Sequence, residues 1–201
     1  MIKPPLVVTI SRLGFLIYGL FIVFAMFSRW FAESEASIGW FAYLAVIYLV
    51  AEQLYATFRA RGVDLAFAFP IMLAIYILSL ASLFFQAQER LPIINRAEHF
   101  CVFVLLTYVI WVFFLKYLPH NVWSDHPYYT AILAFSLAAS FGVINEIVEL
   151  FVDSVYGTHL IGASRFDTPL DLLMNTLGSV TFLSAELILG LTDRQTNQDH
   201  Q

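Results

Sequence analysis

Apolar residues in this chain come in six long blocks separated by short polar links. The blocks run over about Leu6–Phe27, Ile38–Phe58, Leu65–Gln86, Glu98–Tyr117, Tyr128–Val152 and Pro169–Leu191. About 20 helical residues are needed to cross ~30 Å of hydrocarbon, so each block approaches or reaches the length of a membrane span. A spanning segment must satisfy its backbone hydrogen bonds internally, which makes each block an α-helix. The pattern predicts an all-α, polytopic transmembrane bundle of about six spans. Residues 1–191 form a single integral membrane domain, and 192–201 are a polar tail expected to lack structure. There is no internal repeat and no low-complexity tract.

The 201 residues are 60% hydrophobic and only 12% charged, against roughly 25% charged in a soluble domain. Little polar sequence remains for an extramembrane domain. Arg12 interrupts the first apolar run and no A-x-A-like site precedes Glu33 and Glu35, so the first block reads as an uncleaved span. With six spans both termini share one side. That side carries five cations (Lys3, Arg59, Arg61, Lys116, Arg194) against four on the other (Arg29, Arg90, Arg96, Arg165), which favours cytoplasmic termini. Arg12 is expected to snorkel to the same side.

The net charge is −5, and much of the acid lies inside or at the edges of apolar blocks. No basic patch suits nucleic acid. The lone Cys101 excludes an intramolecular disulfide and a cysteine-based zinc site. H-E-x-x-H, P-loop and G-x-S-x-G signatures are absent.

Chemistry concentrates in the second half. Gly142, Asn145, Glu146, Glu149 and Asp153 fall within an arc of ~100° on a helix. Ala131, Ala134 and Ala138 extend the same stripe, so this face turns to the bundle and not to lipid. Glu146 and Glu149 are candidate metal ligands, proton carriers or acid/base groups, because an unpaired buried carboxylate is costly. The last block opens with Asp167, Asp171 and Asn175 at spacings of four, which drift only ~40° per step. Thr168, Pro169 and Asp171 also read as N-cap, first and third positions of a helix, so capping accounts for part of that pattern. Asn175 lies a turn deeper, where capping does not reach, and Gly178 permits close packing on nearly the same face. His99 stands at the mouth of the fourth block and is a candidate metal ligand or proton shuttle. Arg96 and Arg165 are candidates to grip a carboxylate or phosphate. Glu52 lies toward the opposite membrane face and reads as a packing or interfacial residue. Six spans would put Arg96, Glu98, His99, Glu149, Asp153, Arg165, Asp167 and Asp171 near one depth, on the extracytoplasmic side.

The ordered set Arg96-x-x-His99-Phe100, Glu146-x-x-Glu149, Asp167-x-x-x-Asp171 and Asn175-x-x-Gly178 resembles the YjdF-like and VanZ-like families of small bacterial membrane proteins. It covers roughly the last hundred residues. The Gly157–Ser164 link lacks the fuller polar Gly/Asp run of YjdF-like proteins. The resemblance implies a helical bundle in the bacterial inner membrane and a link to the cell envelope, but no settled activity. The expected site uses Glu146, Glu149, Asp171 and His99 in catalysis and Arg96, Arg165 and Asn175 for substrate. A divalent cation would sit on His99, Glu146, Glu149, Asp167 and Asp171. Membrane lipid and an anionic lipid-linked substrate are the expected partners, with no oligomeric state implied. A proton- or ion-coupled transporter, and a structural or partner-binding protein whose polar residues lock helices, remain open. Whether the protein is an enzyme also remains open.

Overall fold

The computed structural model describes residues 4–28, 34–84, 92–156 and 167–198. Among the described residues each of the six apolar blocks contributes a helix: α1 (Leu6–Ser28), α2 (Ser34–Ala60), α3 (Ala68–Phe84), α4 (Pro92–Tyr117), then a short α5 (His120–Asp125), α6 (Pro127–Tyr156) and α7 (Asp167–Gln198). Among the described residues, Ile93–Tyr117, Pro127–Val155 and Asp167–Leu189 are each long and apolar enough to cross a membrane, at 25, 29 and 23 residues; Leu6–Phe21 and Ala68–Leu78 are shorter apolar stretches. The fold is an all-helical membrane bundle, as the hydropathy pattern predicted. Two boundaries differ. α7 starts at Asp167, so Asp167, and not Asp171, is the acid of its first turn. It also continues past Leu191 to Gln198, since no proline breaks the sequence there.

The chain forms two compact units. One joins Met1–Asn95 to Glu146–Thr168, and the other joins Arg96–Asn145 to Pro169–Gln201.

In the first unit α1 packs on α3 and α2. On α1, Val8, Ser11, Phe15 and Tyr18 are buried at helical spacing. They meet Tyr55, Phe69 and Tyr76 in an aromatic core, with Phe15 and Tyr76 edge to face at 4.9 Å between ring centroids. The opposite face of α1 is no less apolar: Leu13, Leu16, Ile17 and Leu20 are all more than half exposed. Lipid solvates that face, so hydrophobicity alone does not separate inside from outside. α2 ends where Gly62 adopts φ +81°. Its N–H and that of Val63 bond back to the carbonyls of Arg59 and Phe58 at 3.0 and 2.9 Å, a Schellman closure that favours glycine.

Arg12 does not simply snorkel. Its Nε and Nη2 donate to the two oxygens of Glu52 at 2.7 and 2.6 Å, and the Tyr48 hydroxyl donates to Glu52 Oε1 at 2.7 Å. The guanidinium also lies 5.9 Å from the ring centroids of Tyr55 and Phe69. This forked pair ties α1 to α2, which makes Glu52 a packing residue as its position predicted. Glu52→Ala leaves Arg12 without its counter-ion. It is expected to cost on the order of 1–3 kcal/mol, less than the ~3–5 kcal/mol of a fully buried pair, because both side chains retain some exposure. A double-mutant cycle with Arg12→Ala, read by thermal unfolding in detergent, should recover part of that loss in the double variant.

In the second unit, Ala131, Ala134 and Ala138 of α6 are buried, as the small-residue stripe predicted, against Phe103, Ile110, Trp111, Phe114 and Leu183. α4 and α7 lie side by side. Their contacts advance together along both helices, from His99 with Asn175 to Thr107 with Ser179 to Tyr108 with Phe182. The two helices therefore run in the same direction.

Candidate functional site

The parallel contact of α4 and α7 depends on one residue without a side chain. A Cβ placed on Gly178 would clash with the Phe100 carbonyl oxygen and lie 3.2 Å from the Val104 amide nitrogen. Backbone thus meets backbone at this level. The polar residues of the two helices are brought within reach of each other one turn before the contact and at its own level.

Just beyond the contact, Thr107 and Ser179 close a hydroxyl bridge. Thr107 Oγ1 donates to Ser179 Oγ at 3.0 Å and shares the same hydrogen with the Phe103 carbonyl at 2.6 Å, while Ser179 Oγ donates to the Asn175 carbonyl at 3.0 Å. Both residues are buried, so every bond replaces one that lipid cannot offer. Neither residue was singled out from the sequence. The signal was present for Ser179, which continues the Asp171, Asn175 series by another four. Thr107 stands two turns after His99.

One turn before the contact, His99 Nδ1 and Asn175 Oδ1 are 3.0 Å apart. An amide oxygen only accepts, so Nδ1 carries the hydrogen and donates it. The other ring nitrogen, Nε2, then faces Asp171 Oδ2 at 3.8 Å, with side chains only 12% and 3% exposed. Asn175 is itself 3% exposed. Its Nδ2 is buried and has no hydrogen-bond acceptor among the described residues. Gly142 of α6 lines the same place: a Cβ there would lie 3.2 Å from Asn175 Nδ2 and 3.3 Å from the Phe103 ring. Three of the residues expected at a site, His99, Asp171 and Asn175, are therefore brought together within the second unit.

Glu146 and Glu149 fall in the first unit, where both are buried at 7% exposure. There Tyr43 of α2 lies within electrostatic reach of both. Along the unbroken α6 helix, Glu146 is one turn beyond Gly142 on the same face. Arg96 and Asp167 are half-buried near the starts of α4 and α7. Arg165 lies outside the described residues.

A protein-family model described as "Predicted membrane protein (DUF2238)" matches residues 13–190. The chain belongs to this DUF2238 family. The match extends from within α1 to the apolar part of α7 and so covers every residue of the polar constellation. It bears out the expectation of a membrane protein family, and it carries no YjdF-like or VanZ-like name. No curated protein matches the chain, and no solved structure does. The DUF2238 description names no reaction, so any chemistry must be argued from the side chains themselves. What they offer is a histidine ring fixed in orientation, a carboxylate opposite its open nitrogen, and a buried amide donor, all inside helices of spanning length.

Proposed function

We propose that this multi-pass protein sits in the bacterial inner membrane with cytoplasmic termini and acts on an anionic lipid or lipid-linked envelope substrate. His99 and Asp171 serve as metal ligands or acid/base groups, with Glu146 and Glu149 as further candidate carboxylates. Asn175 contributes a donor to the substrate, and Arg96 and Arg165 hold its phosphate or carboxylate. The observation that carries this reading is the His99–Asn175 bond facing Asp171: ionisable and amide groups are buried where helix packing alone does not need them. Polar groups at such a depth are reached most directly by a molecule that itself resides in the bilayer. The five-to-four cation balance supports the orientation. The resemblance to YjdF-like and VanZ-like proteins supports the envelope setting by analogy.

The transporter alternative draws on the same buried carboxylates, but Glu52, the acid read toward the opposite face, is held by Arg12 and Tyr48. That commitment favours the lipid-directed reading.

Lipids retained by the detergent-purified protein, identified by mass spectrometry, test it. Anionic species are expected to be enriched over the membrane they came from, and the enrichment should fall in Arg96→Ala and His99→Ala. Identical lipid profiles for wild type and both variants would rule the reading out.

A further inference from the structure

The arrangement at His99 specifies more than a generic polar site. Asn175 Oδ1 fixes a hydrogen on Nδ1, so Nε2, the lone-pair nitrogen of the neutral ring, is directed at a carboxylate oxygen 3.8 Å away. A lone pair and a carboxylate oxygen repel each other unless positive charge lies between them, either a proton on Nε2 or a metal ion. The separation is too long for a direct hydrogen bond. It is shorter than the sum of ordinary Zn–N and Zn–O lengths, about 4.2 Å, so a single ion can bond both atoms. Histidine ligands in metal sites are held in this way, with the second ring nitrogen donating to a fixed oxygen. A second observation points to a bound species. The Asn175 Nδ2 donor is buried with no acceptor among the described residues, although the residue is only 3% exposed. Such a donor is suited to an oxygen brought by a ligand or by ion-bound water.

We propose that His99 Nε2 and Asp171 bind a zinc-class divalent ion, in preference to magnesium, and that Asn175 is the positioning residue that makes the histidine a ligand. This rests on the reading of the same constellation as the functional site and names the cofactor class it takes. The ion's remaining positions are open to substrate oxygen or water. The choice of metal follows from the donors. Imidazole nitrogen suits zinc and its neighbours in the transition series. Magnesium asks for near-octahedral oxygen ligation, which a histidine nitrogen facing one carboxylate does not provide.

The test uses the full-length protein in detergent. Elemental analysis of protein purified without added metal is expected to find close to one zinc-class ion per chain. That ion should be removed by a chelator, restored by Zn²⁺, and retained against a roughly 1,000-fold excess of Mg²⁺. Cobalt substitution should give visible d–d bands that are absent in His99→Gln. Asn175→Ala is expected to weaken Zn²⁺ binding about 10–100-fold. Asn175→Asp, which restores an acceptor for Nδ1–H, should recover most of the loss and so separate positioning from mere packing. Protein that binds no divalent ion, or that binds Mg²⁺ as tightly as Zn²⁺, would overturn the proposal. So would an Asn175→Ala variant with wild-type zinc affinity. Should the protein bind no divalent ion yet still enrich anionic lipid, the metal assignment fails while the lipid reading stands. Loss of lipid enrichment with zinc retained gives the converse.

Discussion

Gly178→Ala is expected to destabilise the protein by at least the ~1–3 kcal/mol typical of overpacking, and to disturb the site at the same time. The added methyl has no flexible side chain to push aside, because the atoms in its way are the Phe100 carbonyl and the Val104 amide of α4. Either α4 and α7 separate or one of them bends. The His99–Asn175 bond is made across that same contact at 3.0 Å, so a shift of a few tenths of an ångström is enough to weaken it. Thermal unfolding in detergent should show a lowered midpoint for Gly178→Ala and a larger fall for Gly178→Leu. Leu177→Ala serves as the control, since Leu177 is 44% exposed and trims only a lipid-facing surface. A Gly178→Ala protein as stable as wild type would mean that the helices are not held backbone to backbone.

The second large effect is expected from Asp171→Asn. The substitution conserves shape and hydrogen-bonding capacity while removing the charge opposite His99 Nε2. If the residue serves a ligand, zinc-class ion affinity should fall by roughly 100-fold or more, at the upper end of what even supporting residues cause. Stability should move little, since the α4–α7 contact is carried by Gly178 and by the Thr107–Ser179 bridge. If the carboxylate merely locks helices, the melting temperature should fall along with any cation or lipid binding. Measuring unfolding and metal content on one preparation separates these cases. Retained affinity in a stable Asp171→Asn protein would remove Asp171 from the site.

The helices were legible because lipid imposes one requirement on every residue of a span. Polarity is rare there, so wherever it appears it marks something. Asp171 and Asn175 stood out at once, since nothing in hydrocarbon explains an amide a turn past a helix start. Which side of each helix faces inward was far less legible. Ser11, Phe15 and Tyr18 are buried, while Leu13, Leu16 and Ile17 face outward. The outward set is the more hydrophobic of the two, the reverse of a soluble helix. Arg12 illustrates the other limit. Its partner Glu52 is 40 residues away, and no local pattern joins them, so a snorkelling arginine was the natural reading of what is in fact a forked ion pair. Thr107 and Ser179 carry little signal in sequence, because hydroxyls in membrane helices usually satisfy themselves on the preceding turn. Their link across helices requires knowing that α4 and α7 are neighbours.

The parallel course of α4 and α7 has a consequence for biosynthesis. Two helices that run the same way through a bilayer need an intervening span to bring the chain back, and His99 and Asn175 are accordingly 76 residues apart. At roughly 5–20 residues per second, α4 is made about 4–15 s before its partner emerges. During that interval the histidine waits in the membrane without its amide. Assembly of the polar cluster is therefore among the last events of synthesis, and a ribosome that stops short of α7 leaves a chain with its early helices made and its chemistry missing.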